Sequence, residues 1–180
     1  MRRFGVVIAA ALLSACNPLS LLPREVDRRP ALPAPEPFPI AVEEVIPRLE
    51  EVGLACRFAP DSDIPGGWNC TLGDPVTGAS MAVNVSSDET GPIEYVTAYA
   101  QFAEGGQADL APAALDAAGA EAFTELVIAP ILPEDARPPF EALHAVIADN
   151  FQMEVGDGYY LVFHRNMISR TMLIQYSTQQ

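Results

Sequence analysis

The pattern of hydrophobic and polar residues between positions 42 and 102 predicts one helix followed by four strands. Apolar residues first recur at the spacing of one helical face, at Val42, Val45, Ile46, Leu49 and Val52. Gly53 follows where a helix C-terminus favours glycine, and Pro47 predicts either a kink or the first turn of that helix. Alternating apolar residues then predict strands, joined by short turns into an antiparallel meander, over residues 54–58, 68–72, 81–85 and 93–102.

The second half of the chain repeats this order of helix and strands. The alanine-rich residues 112–128 predict either one helix or two helices that are interrupted at Gly119, and a further helix is predicted from Pro139 to Phe151. Strands follow over residues 152–155, 159–164 and 167–176. The sequence therefore predicts an α+β fold, an antiparallel meander sheet with helices packed on one face. The repeated order also suggests a duplicated helix-plus-hairpin unit.

The first sixteen residues have the pattern of an export signal. Arg2 and Arg3 precede an apolar run over residues 4–13, and the segment ends in Leu13-Ser14-Ala15-Cys16. These four residues resemble the lipobox of bacterial lipoproteins. The resemblance implies that Cys16 becomes the first mature residue and carries a diacylglycerol on its thiol, with a further acyl chain such as palmitate on its amine. Such chains would hold the protein on a membrane without spanning it.

Two other interpretations of this segment are an ordinary signal peptide with a chance cysteine and an uncleaved membrane helix. The helix is disfavoured, because about ten apolar residues fall short of the roughly twenty that cross a bilayer. Asn17 stands where many Gram-negative lipoproteins retained in the inner membrane have Asp. The same resemblance therefore implies a cell-envelope location, at the outer membrane if the source is Gram-negative.

Proline dominates the segment that follows Cys16. Seven of the 23 residues from 17 to 39 are proline, which fixes φ and lacks a backbone donor. The segment is therefore predicted to be an extended tether of about 70 Å, although a proline-motif ligand for a partner has the same composition. The expected organisation is a signal peptide over residues 1–15, the lipidated cysteine and tether over 16–39, and one α+β domain over 40–180.

The chain is strongly acidic, with 24 acidic residues against 10 arginines and a formal charge of −14. Removal of residues 1–15 would leave 8 arginines and a charge of −16. Such a surface repels phosphate backbones, so nucleic acid is not an expected partner. The complete lack of lysine fits either a high-GC genome or a salt-adapted surface.

Cys56 and Cys70 remain after Cys16 is set aside for the lipid. In an exported protein, two cysteines with no third competitor predict one disulfide, which would close a loop of fifteen residues between two strands. A metal site is disfavoured, because the intervening residues contain neither histidine nor a third cysteine. Asp61 and Asp63 hint at a calcium loop, but the regular oxygen ligands and closing glutamate of such a loop are missing. No metal or cofactor is therefore predicted.

The sequence contains none of the common catalytic motifs, such as Gly-x-Ser-x-Gly or His-Glu-x-x-His. Its two histidines are His144, beside the apolar stripe of the last helix, and His164. His144 is expected to be solvated or capped, whereas His164 shares strand parity with Tyr160 and is a candidate for a binding role. Acidic pairs such as Glu43-Glu44 are expected on solvated faces rather than as a general acid and base.

Tyrosines supply most of a candidate binding surface. Residues on opposite faces of a sheet cannot all enter one core, and tyrosine is favoured at protein interfaces. The alternative is that these tyrosines pack under the helices. The predicted binding surface consists of Tyr95, Tyr99, Tyr159, Tyr160 and His164.

Together these features favour a lipid-anchored envelope protein with a non-catalytic role in binding, assembly or inhibition. Its expected partners are the membrane, through the acyl chains on Cys16, and another envelope protein. The competing hypothesis is a hydrolase of envelope polymers. A binding module would present a flat or grooved sheet face with exposed tyrosines, whereas an enzyme would have a concave pocket lined by perturbed polar side chains.

Overall fold

An antiparallel sheet of seven strands lies at the centre of the structure, a computed structural model that describes residues 31–60, 67–73, 80–101 and 111–178. These residues belong to the unit Ala31–Gln180. The strands are β1 (Ala55–Ala59), β2 (Gly67–Gly73), β3 (Ser80–Ser86), β4 (Tyr95–Gln101), β5 (Gln152–Glu154), β6 (Tyr159–Arg165) and β7 (Ser169–Tyr176). The helices are α1 (Val42–Glu51), α2 (Pro112–Phe123), α3 (Ala129–Ile131) and α4 (Phe140–Asp149).

The strand order is β1-β2-β3-β4-β7-β6-β5, and every neighbouring pair is antiparallel. Strands β1 to β4 form one meander, strands β5 to β7 form a second, and the β4–β7 pair joins them. Helix α1 contacts β1, α2 contacts β4 and α4 contacts β6. The predicted α+β fold with an antiparallel meander sheet is therefore confirmed, while a duplication of the helix-plus-hairpin unit stays a prediction.

One face of the sheet is buried beneath the helices. A row of five paired residues across the centre of the sheet demonstrates this burial. The register places their side chains on the same face, and each is at most 2% exposed. These residues are Cys70, Val83, Ala98, Met172 and Phe163. Helix α1 adds the stripe that the sequence predicts, with buried Val42, Val45, Ile46 and Leu49. The hydrophobic core thus lies between this face and the helices.

Helix α1 ends at the glycine that the sequence indicates. Gly53 has φ +99°, its N–H donates to the carbonyl of Glu50, and the next N–H, of Leu54, donates to the carbonyl of Leu49. This pair of hydrogen bonds is a Schellman motif, which needs a left-handed residue and so favours glycine. Pro47 lies inside α1 rather than in its first turn, and its side chain is exposed.

The helix predicted from the alanine-rich residues is continuous. Helix α2 passes through Gly119 and runs through a π-helical segment (Thr124–Ile128) directly into α3. Of the two alternatives, an interruption at Gly119 is therefore wrong. This glycine lies on the buried side of α2, where a Cβ would stand 2.9 Å from Cγ of Arg170, so glycine leaves room for the Arg170 side chain.

A buried ion pair ties α2 to the sheet. Nε of Arg170 on β7 donates to Oδ1 of Asp116 on α2 at 2.6 Å, and both side chains are at most 3% exposed. Arg165 on β6, which is 40% exposed, reaches the other carboxylate oxygen at 3.0 Å. Nη1 of Arg170 also donates to the carbonyls of Asn166 and Ser169. The buried charges are thus paired and hydrogen-bonded, as burial requires.

The last residues assigned to the tether pack against the domain. The N–H of Glu36 donates to the carbonyl of Tyr176 at 2.8 Å, and the N–H of Phe38 donates to the carbonyl of Ile93 at 2.8 Å. Phe38 is 5% exposed, and its ring centroid lies 5.6 Å from that of Tyr159. The folded part of the chain therefore includes Glu36 and Phe38, upstream of residue 40.

The predicted disulfide is present. Cys56 on β1 and Cys70 on β2 are directly paired in the register, and their sulfur atoms are bonded. The bridge joins the edge strand β1 to its neighbour and closes the loop that contains residues 61–66. The link restrains the unfolded chain, which is the main way in which a disulfide stabilises a fold.

Candidate binding face

The second face of the sheet carries the residues that alternate with the core residues. Most of its side chains are half-buried or exposed, and the fully buried exceptions among the described residues stand at strand ends, at Gly67, Ser86 and Ser169. This open face contains four of the five residues that the sequence nominates for binding. They are Tyr95, Tyr99, Tyr160 and His164.

These four residues occupy the corners of a regular array on three adjacent strands. Tyr99 pairs with Thr171, which pairs with His164, and the same register places Gln175 between Tyr95 and Tyr160. Strands lie about 4.8 Å apart and rise about 3.3 Å per residue, so the corners enclose roughly 10 by 13 Å. We name this array the tyrosine–histidine patch, and it consists of Tyr95, Thr97, Tyr99, Thr171, Leu173, Gln175, Tyr160, Val162 and His164.

The patch has an apolar middle row. Thr97 pairs with Leu173, which pairs with Val162, and all three are half-buried. Rings at the corners therefore surround a shallow apolar centre, with the hydroxyl groups of Thr97 and Thr171 and the amide of Gln175 between them. Aromatic anchors around a desolvated centre are the arrangement found at the energetically important part of protein interfaces.

The open face is almost free of charge, in contrast to the acidic chain as a whole. On the four central strands, β2, β3, β4 and β7, none of the described residues that point to this face is charged. Charged residues appear only on the outermost strands, with Arg57 on β1 and Glu154 on β5. Depletion of charge at the centre of a surface distinguishes interface cores from ordinary surface.

Tyr160 has an acidic neighbour across the sheet. It pairs with Glu154 on β5, and its side chain is hydrogen-bonded to the Glu154 carboxylate. Desolvation, the negative charge of Glu154 and this hydrogen bond raise the pKa of Tyr160 above its usual value. The acidic Glu154 on the edge strand thus favours the neutral phenol of Tyr160.

Tyr159 does not belong to the binding surface. It is 2% exposed and faces the core, where its ring lies 5.2 Å from that of Tyr176. Burial, with the nearby Tyr176 and Asp157, raises the pKa of Tyr159 to about 12. Because consecutive strand residues point to opposite faces, Tyr159 and Tyr160 could not both be exposed on the open face. The alternative that tyrosines pack under the helices is correct for this residue.

The other residues that the sequence analysis singles out are not part of the patch. His144 on α4 is half-buried and stacks on Phe140 with ring centroids 6.0 Å apart. Cys16, together with Asp61 and Asp63 of the hypothetical calcium loop, lies outside the described residues. Within the described ranges, no three or more histidine, cysteine, aspartate or glutamate residues form a group suited to a metal ion.

Sequence reasoning missed the central part of the patch. Leu173 and Thr171 belong to β7, which lies between β4 and β6, and the strand order that brings them beside Tyr99 is not visible in the sequence. Asp116 was missed as well, although a signal exists. It precedes Ala120 by four residues and Phe123 by seven, which is the spacing of the buried stripe of α2.

Comparison of the chain with protein-family models, with curated protein sequences and with solved structures found no match. Among the described helices, none has both the length and the apolar character required to cross a bilayer. Because these comparisons found no match, a functional hypothesis for this chain has to start from the geometry of the open face.

Proposed function

We propose that this chain is a lipid-anchored protein of the cell envelope that binds another envelope protein through the tyrosine–histidine patch. Its role is non-catalytic, in recognition, assembly or inhibition. The observation that carries the proposal is the convergence of Tyr95, Tyr99, Tyr160 and His164 on one sheet face whose central strands point no charged side chain toward it.

The composition of the patch favours a protein as the ligand. Tyrosine contributes a large contact area at a low cost in conformational entropy, and threonine and glutamine side chains adapt their hydrogen bonds to a partner. After removal of residues 1–15 the chain has a net charge of −16, so its other surfaces repel acidic neighbours. The neutral patch, in contrast, can be desolvated at little cost.

The anchor follows from the N-terminal segment. Leu13-Ser14-Ala15-Cys16 resembles a lipobox, and acyl chains on Cys16 would hold the protein on a membrane, at the outer membrane in a Gram-negative source. The proline-rich residues after Cys16 would then separate the sheet from the bilayer, which leaves the patch free to meet an envelope partner.

A charge placed in the patch tests the binding role. Thr97→Arg introduces a guanidinium beside Leu173, where a bound partner would desolvate it. Such a buried unpaired charge should weaken capture of an envelope partner by the detergent-solubilised full-length protein at least about tenfold. Ala113→Arg puts the same charge on the exposed side of α2 and should leave capture unchanged.

The same preparations separate binding from hydrolysis. If the wild-type protein degrades an envelope polymer and captures no partner, the binding proposal is wrong. Equal capture by the wild type and the Thr97→Arg variant would reject the patch as the binding surface. Unfolding temperatures of both variants establish that the fold is intact.

The anchor has its own test. Cys16→Ser should abolish incorporation of radiolabelled fatty acid, because the serine hydroxyl does not accept the lipid that the cysteine thiol carries. Cys56→Ser is the matched control and should keep the label. Persistent label on the Cys16→Ser protein would contradict lipidation at this residue.

A further inference from the structure

A cleft of about 340 Å³ lies at the end of the sheet next to the patch. Its walls come from the ends of β1 and β3, the residues that lead into β4, and the segment just before α1. The residues that matter for its chemistry are Pro37, Phe58, Ser87, Asp88, Pro92 and Glu94. The volume is in the range of ligand pockets, which hold small molecules or single side chains.

Two carboxylates give the cleft a negative charge. Asp88 follows β3 and Glu94 precedes β4, and both are exposed to solvent. Oε2 of Glu94 accepts a hydrogen bond from Oγ of Ser86 at 3.2 Å, and the N–H of Glu94 donates to the carbonyl of Ser86. These bonds hold the Glu94 carboxylate at the cleft. None of the described residues that line it is basic.

A buried hydroxyl in the wall lacks a partner. Ser87 is 7% exposed, and its Oγ has no hydrogen-bond partner among the described residues. An enclosed polar group without a partner costs free energy, which a donor brought by a ligand would recover. The unpaired hydroxyl of Ser87 is therefore evidence that does not depend on the two carboxylates. It indicates that a ligand in the cleft would bring a hydrogen-bond donor.

The other walls of the cleft are apolar. Pro37 and Pro92 contribute aliphatic rings, and Phe58 contributes an aromatic ring. An ammonium or guanidinium group on a hydrocarbon stem matches this combination, because the stem packs on carbon while the cation meets carboxylates and an aromatic ring. Two carboxylates and a hydroxyl, all able to accept hydrogen bonds, within carbon walls suit an organic cation.

We infer that this cleft binds an arginine or lysine side chain of the envelope partner that the patch engages. Ser86 lines the cleft and pairs with Tyr95 across β3 and β4, so one wall of the cleft adjoins one corner of the patch. A partner seated on Tyr95 can therefore place a basic side chain between Asp88 and Glu94. The identity of the partner rests on the proposed function, whereas the chemistry of the cleft does not.

Small capped amino acids test the cleft without the partner. Binding of N-acetyl-argininamide and N-acetyl-lysinamide to the full-length protein in detergent is followed by nuclear magnetic resonance, with neutral N-acetyl-citrullinamide as the ligand control. The basic probes should shift the amides of Ser87 and Glu94 saturably, and the neutral probe should not. Equal binding of the neutral probe, or no saturable binding of either basic probe, would overturn the inference.

Matched variants locate the effect. Glu94→Gln removes one charge with little change of shape and should weaken binding of the arginine probe about tenfold, and Ser87→Ala should weaken it several-fold. Glu141→Gln removes an exposed charge from α4 and should leave binding unchanged. If Glu141→Gln weakens binding as much as Glu94→Gln, the probe responds to overall charge and the cleft is not the site.

A free diamine distinguishes the source of the cation. If 1,4-diaminobutane binds more tightly than both capped amino acids, the assignment to a protein side chain is wrong. If the probes do not bind while the wild-type protein still captures its partner, only the assignment of the cleft is wrong. The proposed function is tested separately, by the loss of capture expected in the Thr97→Arg variant.

Discussion

Asp116 and Arg170 form the most deeply buried ion pair among the described residues, with Oδ1 and Nε 2.6 Å apart and neither side chain more than 3% exposed. The pair joins residues 54 positions apart, and it fixes α2 against the end of β7 that follows the β6–β7 turn. Removing one partner of such a pair leaves the other charge buried without compensation.

Asp116→Asn should therefore destabilise the protein strongly. We expect a loss of about 3 kcal/mol in the free energy of unfolding, measured by urea denaturation. Glu44→Gln breaks the exposed pair with Arg48 and is the matched control, with an expected change below about 0.5 kcal/mol. Equal effects of the two substitutions would contradict a structural role for the buried pair.

Gly119→Ala should destabilise the protein although alanine favours helices. Alanine gains about 1 kcal/mol over glycine in a helix interior, but overpacking costs about 1–3 kcal/mol, and here a Cβ would stand 2.9 Å from Cγ of Arg170. We expect a net loss of roughly 1 kcal/mol in urea denaturation. Gly73→Ala, whose Cβ would meet no atom within 4 Å, should show no such loss. Stabilisation by Gly119→Ala would disprove the close packing.

Stability should decline in alkali through Tyr159. The pKa of this phenol is raised from 10.0 to about 12 in the folded protein, so the unfolded chain loses the proton first. The contribution to stability is fully present below pH 10 and is lost as the pH rises through about 12. The free energy of unfolding, measured by urea denaturation between these two pH values, should fall less for Tyr159→Phe than for the wild type. An identical fall in both proteins would refute this coupling.

The cysteines can be counted chemically. The denatured, unreduced, lipidated protein should have no reactive thiol, because the proposed lipid would occupy the thiol of Cys16 and Cys56 is bonded to Cys70. Reduction should release two thiols.

Replacement of both Cys56 and Cys70 by alanine should lower the free energy of unfolding by about 3 kcal/mol, since the bridge closes a loop of fifteen residues. Two reactive thiols before reduction would rule out the disulfide in solution.

Local patterns in the sequence predicted the elements of this fold well. The stripe from Val42 to Leu49, the glycine at position 53 and the alternation of apolar residues in the strands each depend on short-range chemistry, and each appears as expected. The cysteine pair could be predicted for the same reason, because its two strands are neighbours in sequence.

Long-range pairing is what the sequence could not supply. The contact of β4 with β7 brings Tyr99 beside Thr171, and no local signal encodes the order in which the two meanders join. Burial of Tyr159 instead of Tyr160 depends on which strand face meets the helices, a choice that a one-residue shift of register reverses. The packing of Gly119 against Arg170 is equally a property of the assembled fold.

Photo-crosslinking in intact cells reports whether the tyrosine–histidine patch contacts an envelope protein. A photoreactive phenylalanine analogue at position Tyr99 is compared with the same analogue at position Glu141, on the exposed side of α4. We predict a discrete cross-linked product with one envelope protein at position 99, absent at position 141 and lost when Thr97→Arg is added. The same products at both positions, or none at position 99, would contradict the account.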